Sequence, residues 1–183
     1  MRDTRLGRRF LLGMPLALTL PVLAGGCGFQ PLYGSGSGND DVKPELASII
    51  VIVPHGRLGQ SVKAALAADL NPAAISVAPD YALSVSLGRT TRALAIQLDS
   101  TITRYDLILD AAFALVRNID NATVYRNRVR RIASYNVSRA PYSTQVAEED
   151  AERRAAVEVS RQIAALLAVF FRDKNLNPDE PAS

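Results

Sequence analysis

Thr101-Ile102-Thr103-Arg104-Tyr105-Asp106-Leu107-Ile108-Leu109-Asp110-Ala111-Ala112-Phe113-Ala114-Leu115-Val116-Arg117-Asn118 leads through Asp120-Asn121 into a second extended run, Thr123 to Val137. In the first run Tyr105, Leu107, Leu109, Phe113 and Leu115 share one parity, and Arg104, Asp106 and Asp110 share the other. Period-two alternation of this kind marks a strand with one buried and one wet face. In the second run Tyr125, Val129, Ala133 and Tyr135 form the apolar set. Asp and Asn tolerate tight turns, so the two runs predict a β-hairpin with arms far longer than the usual five or six residues. Its apolar face needs a cover, and the rest of the chain is read as supplying it.

Upstream, Tyr81-Ala82-Leu83-Ser84-Val85-Ser86-Leu87 alternates without a fault. Gly88-Arg89-Thr90-Thr91 interrupts it, and Leu94, Ile96 and Leu98 resume on the other parity. A parity change across glycine predicts a bulge or turn at Gly88. Ser48-Ile49-Ile50-Val51-Ile52-Val53, closed by Pro54, is a β-branched run and predicts a short buried strand. Gly59 to Leu70 carries Val62, Leu66 and Leu70 one turn apart, and Asn71-Pro72 stops it, as for an amphipathic helix. A last helix is expected to begin at Ser143 or Thr144, with Glu148, Glu149 and Asp150 in its first turns. Ala155, Val159, Ile163, Leu166, Leu167 and Phe170 form its buried stripe, and Arg172 and Lys174 end it. At roughly 28 residues it would be about 40 Å long. The order β-α-β-β-β-α predicts an α+β fold, two helices packed on one face of a four-stranded, mostly antiparallel sheet. This single domain is expected over residues 47–172, with a frayed tail at 173–183.

The N-terminal part is of another kind. Arg2, Arg5, Arg8 and Arg9 precede an apolar run from Phe10 to Leu23. That run is about 14 residues, short of the roughly 20 that cross a bilayer. It contains Gly13 and Pro15 and closes on the small residues Ala24, Gly25 and Gly26. Residues 1–26 therefore read as an export signal. Arg8-Arg9-Phe10-Leu11 faintly resembles a twin-arginine signal, but nothing downstream suggests a cofactor inserted before export, and Sec export is preferred. The chain has 21 basic and 18 acidic residues. Cleavage removes four arginines and Asp3, which leaves the remainder electrically balanced. The basic character of the whole chain thus belongs to the leader and does not indicate a nucleic-acid partner.

Cys27 is the only cysteine of the chain, which excludes an internal disulfide. A lone thiol directly behind such a leader is read as the acceptor of an S-diacylglyceryl group, with N-acylation once Cys27 becomes the new N-terminus. Gly28 follows it, where an acidic residue would favour inner-membrane retention, so the expected destination is the outer membrane. Residues 27–46 form the lipidated N-terminus and a linker, flexible by its composition over Gly34-Ser35-Gly36-Ser37-Gly38. Phe29, Leu32 and Tyr33 are too apolar for a plain tether. They are candidates for docking at a membrane interface or on a partner.

Cys27-Gly28-Phe29-Gln30-Pro31-Leu32-Tyr33 resembles the start of mature LPS-assembly lipoproteins, the LptE family. The resemblance rests on these few residues, with length and order of elements in agreement. It implies an outer-membrane lipoprotein, lipid-anchored and facing the periplasm. It also implies that the chain plugs the lumen of a large LPS-translocating β-barrel (LptD-like) and touches lipopolysaccharide. The alternative is an anchored transport-auxiliary lipoprotein of a phospholipid or solute exporter.

Enzymatic activity is not expected. His55 is the only histidine, follows Pro54 at a strand exit, and has no signalled nucleophile or orienting acid. With Cys27 acylated, zinc lacks ligands, and no cofactor other than the covalent lipid is expected. The Gly/Ser run lacks the lysine and following helix of a phosphate loop. Glu148, Glu149, Asp150 and Glu152 are accounted for by the start of a helix without invoking a cation. The remaining constellation is basic. Arg126, Arg128 and Arg130 alternate onto the outer sheet face, Arg131 points the other way, and Arg89 and Arg92 sit at the expected strand interruption. Guanidinium forks match phosphate, so these five are candidates for contact with LPS. Arg89 and Arg92, at the expected strand tip, are the first choice. Pairing of the arginines with Asp106 and Asp110 on the neighbouring strand is the structural alternative.

Overall fold

The computed structural model describes residues 42–95, 103–138 and 140–176. Cys27, Phe29, Leu32 and Tyr33 lie outside the described residues, as do Ile96 and Leu98. In chain order the elements are α1 (Val42–Ala47), β1 (Ile49–Ile52), α2 (Arg57–Leu70), β2 (Tyr81–Ala95), β3 (Thr103–Arg117), β4 (Thr123–Val137) and α3 (Pro141–Leu176). The strands lie side by side in the order β1-β2-β3-β4. β1 runs parallel to β2, with α2 as the connection, and β2, β3 and β4 form an antiparallel meander. The fold is α+β, with the helical layer on one face of the sheet.

The alternation read from the sequence is what divides the two faces. Leu83, Val85, Leu107, Leu109, Ala111, Phe113, Leu115, Val129 and Ala133 turn inward and are buried. Opposite them α2 presents Val62, Leu66 and Leu70, and α3 presents Ala155, Val159, Ile163, Leu167 and Phe171. The two helices approach closely enough for the hydroxyl of Ser160, fully buried, to lie 3.3 Å from the carbonyl of Val62 while donating to Ala156 at 2.8 Å. At the far end Tyr81, Phe171, Phe170 and Tyr125 pack as a chain of rings, with centroids 4.9–5.2 Å apart. Lys174 closes that end by donating to the Tyr81 hydroxyl at 2.9 Å.

Several local expectations are corrected. β2 runs through Gly88 without interruption, paired in register with β3 as far as Ala93, and its irregularity lies between Ala93 and Ala95. A side chain at Gly88 would meet only the Cβ of Asp110, at 3.8 Å, so nothing there requires glycine. Leu94 is consequently on the outer face and half exposed. β1 is buried at Val51 alone, while Ile50 and Ile52 are 49% and 52% exposed, because only one face of the sheet is covered. α1 falls where the end of the linker and the first residue of the domain were expected. Val42 and Leu46, one turn apart, anchor it, and Pro44 sits in its first turns, where a missing N–H costs nothing. α3 has 36 residues, about 54 Å, and starts at Pro141 rather than at Ser143 or Thr144. Its acidic residues are therefore beyond the first turn. It continues through Lys174 to Leu176, so the tail does not begin at residue 173. Phe171 is the fully buried ring, with Phe170 half-buried beside it.

Candidate functional site

The basic residues singled out from the sequence separate onto the two faces of the sheet. Arg89 continues the inward parity of Leu83, Val85 and Leu87. It reaches α3, where its guanidinium is ion-paired with Glu148 and Glu152. Arg57, in the first turn of α2, bonds the same Glu152 at 2.8 Å and Glu149 at 2.8 Å. The Glu152 side chain is only 7% exposed and is shared by two arginines from different elements. A buried carboxylate is tolerable because it is paired. These acids thus join α2, β2 and α3, a use of Glu148, Glu149 and Glu152 that the helix-start explanation missed. Asp150 faces outward to Arg153 and Arg154, whose hydrogen bonds, Arg154 first, hold its carboxyl below the usual carboxylate range.

Arg92 is on the opposite, uncovered face, so Arg89 and Arg92 do not form a pair at a strand tip. The register places Arg92 beside Asp106 and Ser134, Gly88 beside Asp110 and Arg130, and Ser86 beside Ala112 and Arg128. Ser84, Ala114 and Arg126 make the next row. The middle of this face is therefore lined by small side chains, with Arg126, Arg128 and Arg130 as a ridge along β4. Arg130 donates to Asp110 at 2.7 Å, and this bond raises its guanidinium above the ordinary range. Asp106 instead accepts from Ser134 at 2.5 Å. Arg126 reaches only the hydroxyl of Thr123, at 3.3 Å. Arg92, Arg104 and Arg128 make no ion pair among the described residues. Arg104, not singled out from its sequence, belongs to this set by parity alone. Arg131, as expected, points the other way, donating to Gln162 of α3.

On this face the arrangement offers guanidinium donors that match an anion. The free cations are spread on an open surface. His55 is exposed in the loop between β1 and α2. A hollow of about 630 Å³ between β1 and the end of α2 is lined by Ile49, Val51, Ala67 and Pro72 with Lys63 and Asn71 at its polar side. Among the described residues no helix is long and apolar enough to cross a membrane.

No family model matches the chain, and neither does any curated protein. Among solved structures it is similar to a protein of Caulobacter crescentus CB15 described as a lipoprotein. The TM-score is 0.59 at 23% identity, over 72% of this chain and 96% of that one. Looser likenesses are a minor lipoprotein from Acinetobacter baumannii (TM-score 0.47, 12% identity, 66% and 90% covered) and rare lipoprotein B from Shewanella oneidensis (TM-score 0.40, 13% identity, 72% and 97% covered). The class so defined is a small α+β domain with one helix-covered and one open sheet face, a fold shared with the Caulobacter protein.

Proposed function

We propose that the chain is an outer-membrane lipoprotein that acts with a large β-barrel partner as plug and assembly factor in lipopolysaccharide transport. The observation that carries this reading is the segment Cys27 to Tyr33, which resembles the LPS-assembly lipoproteins and stands directly behind an export signal. The fold shared with the Caulobacter lipoprotein agrees with it. In this reading Cys27 bears N-acyl and S-diacylglyceryl chains, and Phe29, Leu32 and Tyr33 dock beside the anchor. The protein works as a tethered binding domain, without a cofactor or a catalytic step.

The open sheet face supplies the binding chemistry. Arg92, Arg126 and Arg128 offer guanidinium forks with no carboxylate partner among the described residues, suited to the phosphates of lipid A and its inner core. Arg130 is partly engaged by Asp110, and Arg89 is engaged by α3. The test is affinity purification of the tagged, acylated protein in detergent, followed by mass spectrometry. A heat-modifiable barrel of much larger mass should be recovered with it. Recovery of inner-membrane ATPase subunits instead would replace this reading with the transport-auxiliary one.

A further inference from the structure

β4 closes the sheet. Its register accounts for β3 on one side, and among the described residues no strand lies on the other. At 15 residues it is about three times the usual strand. A long open edge presents a row of unpaired main-chain donors and acceptors, which proteins normally blunt or cover. The outward set is identifiable. The N–H of Arg128 donates to Asn127 Oδ1 at 2.8 Å, and the carbonyls of Arg130 and Ser134 accept from Arg131 at 2.9 Å and Arg154 at 3.1 Å. All three are even-numbered, so the even-numbered residues of β4 turn their main-chain groups away from β3. The groups of Arg126 and Ile132 have no such side-chain cap among the described residues, and Ile132 is 58% exposed.

The side chains along this edge say what would fit it. β4 carries Arg126, Arg128, Arg130 and Arg131 and no acidic residue. Arg126, Arg128 and Arg130 lie two apart on the outer face, and among the described residues only Arg130 has a carboxylate partner. A strand laid against β4 would set its own side chains about 5 Å from them, where opposite charges attract and like charges repel. A second copy of β4, antiparallel about the middle of this run, would set arginine against arginine.

We propose that the β4 edge is the docking site for an extended, acidic strand of another protein. The partner's main chain pairs with the even-numbered residues of β4. Its Asp or Glu side chains, two residues apart, lie opposite Arg126, Arg128 and Arg130. The residues between them turn toward α3 and are small or apolar. The caps come from Asn127 and Arg154, which are exposed, and from Arg131, which is half-buried, and they are exchanged for the ladder.

The test uses the whole acylated chain in detergent and a synthetic peptide alternating glutamate with valine. A second peptide has the same sequence and charge, with N-methyl groups on the amides that would face β4. Bound peptide should slow hydrogen exchange at the Arg126, Arg130 and Ile132 amides. N-methylation should weaken binding by about tenfold or more through loss of ladder bonds. Arg126→Glu with Arg128→Glu should weaken it about tenfold, with Tm unchanged. Equal binding of the N-methylated peptide would reduce the effect to surface charge and overturn the proposal. A chain that is already dimeric without peptide, with the β4 amides protected, would overturn it in favour of a second copy.

Discussion

Asp120 holds the β3–β4 turn with both carboxylate oxygens. Arg117 donates to them at 3.1 and 2.6 Å, and the N–H of Ala122 donates at 3.1 Å. The neighbouring Asn121 has φ 54°, a left-handed conformation that asparagine tolerates. The Arg117 hydrogen bond is the main reason the Asp120 carboxyl lies below the usual carboxylate range. A depressed folded pKa means that the turn's stabilisation is complete above the ordinary aspartate pKa of about 3.9 and fades as pH falls through the lower folded value. NMR titration should place the Asp120 midpoint below that of a free aspartate, and Asp120→Asn should speed amide exchange around the turn at neutral pH. Arg89 shows what sequence alone could not reveal. Its partners lie 59 and 63 positions away, on a helix whose packing angle no local pattern encodes. Arg89→Glu should cost roughly 1–2 kcal/mol, discounted because the arginine is half-exposed. Arg92→Glu should change stability by less than about 0.5 kcal/mol. Thermal melts of the two variants check the contrast. Equal melts would mean that the clamp through Glu152 contributes nothing.

At the scale of elements, β3 and β4 were legible because strict alternation over many residues admits only one pairing of faces. β2 was legible only in its first half. Beyond Leu87 the inner face carries Arg89, Thr91 and Ala93, so polarity no longer separated inside from outside, and Gly88 invited a false break. The starts of α1 and α3 were missed. α1 and α3 carry Pro44 and Pro141 in their first turns, where proline fits a helix although it breaks one elsewhere. The two glycines therefore make opposite predictions. Gly88→Ala should stabilise by about 0.5 kcal/mol, since glycine within a strand is unfavourable. Gly59→Ala should destabilise by more than about 1 kcal/mol, because its Cβ would stand 2.0 Å from the carbonyl oxygen of Pro54. Phe171→Ala, which removes the fully buried ring between Tyr81 and Phe170, should cost about 3–4 kcal/mol. Urea denaturation at constant m-value measures all three.

Among the described residues, the helices cover one face of the sheet and leave the other open along with the β4 edge. The uncovered side carries the arginines that lack ion-pair partners among these residues, while the covered side has taken Arg89 into its own framework. The arginine ridge on β4 was legible from parity. The place of Arg104 on the same face, from β3, was legible from parity too, whereas the exclusion of Arg89 needed the helix. The anchor is the claim on which the functional account turns, and intact-mass analysis of the membrane-extracted protein tests it most directly. The predicted species begins at Cys27 and carries the added mass of a diacylglyceryl group and an amide-linked acyl chain. A mature protein with an unmodified Cys27, or one that retains its leader, would contradict the account.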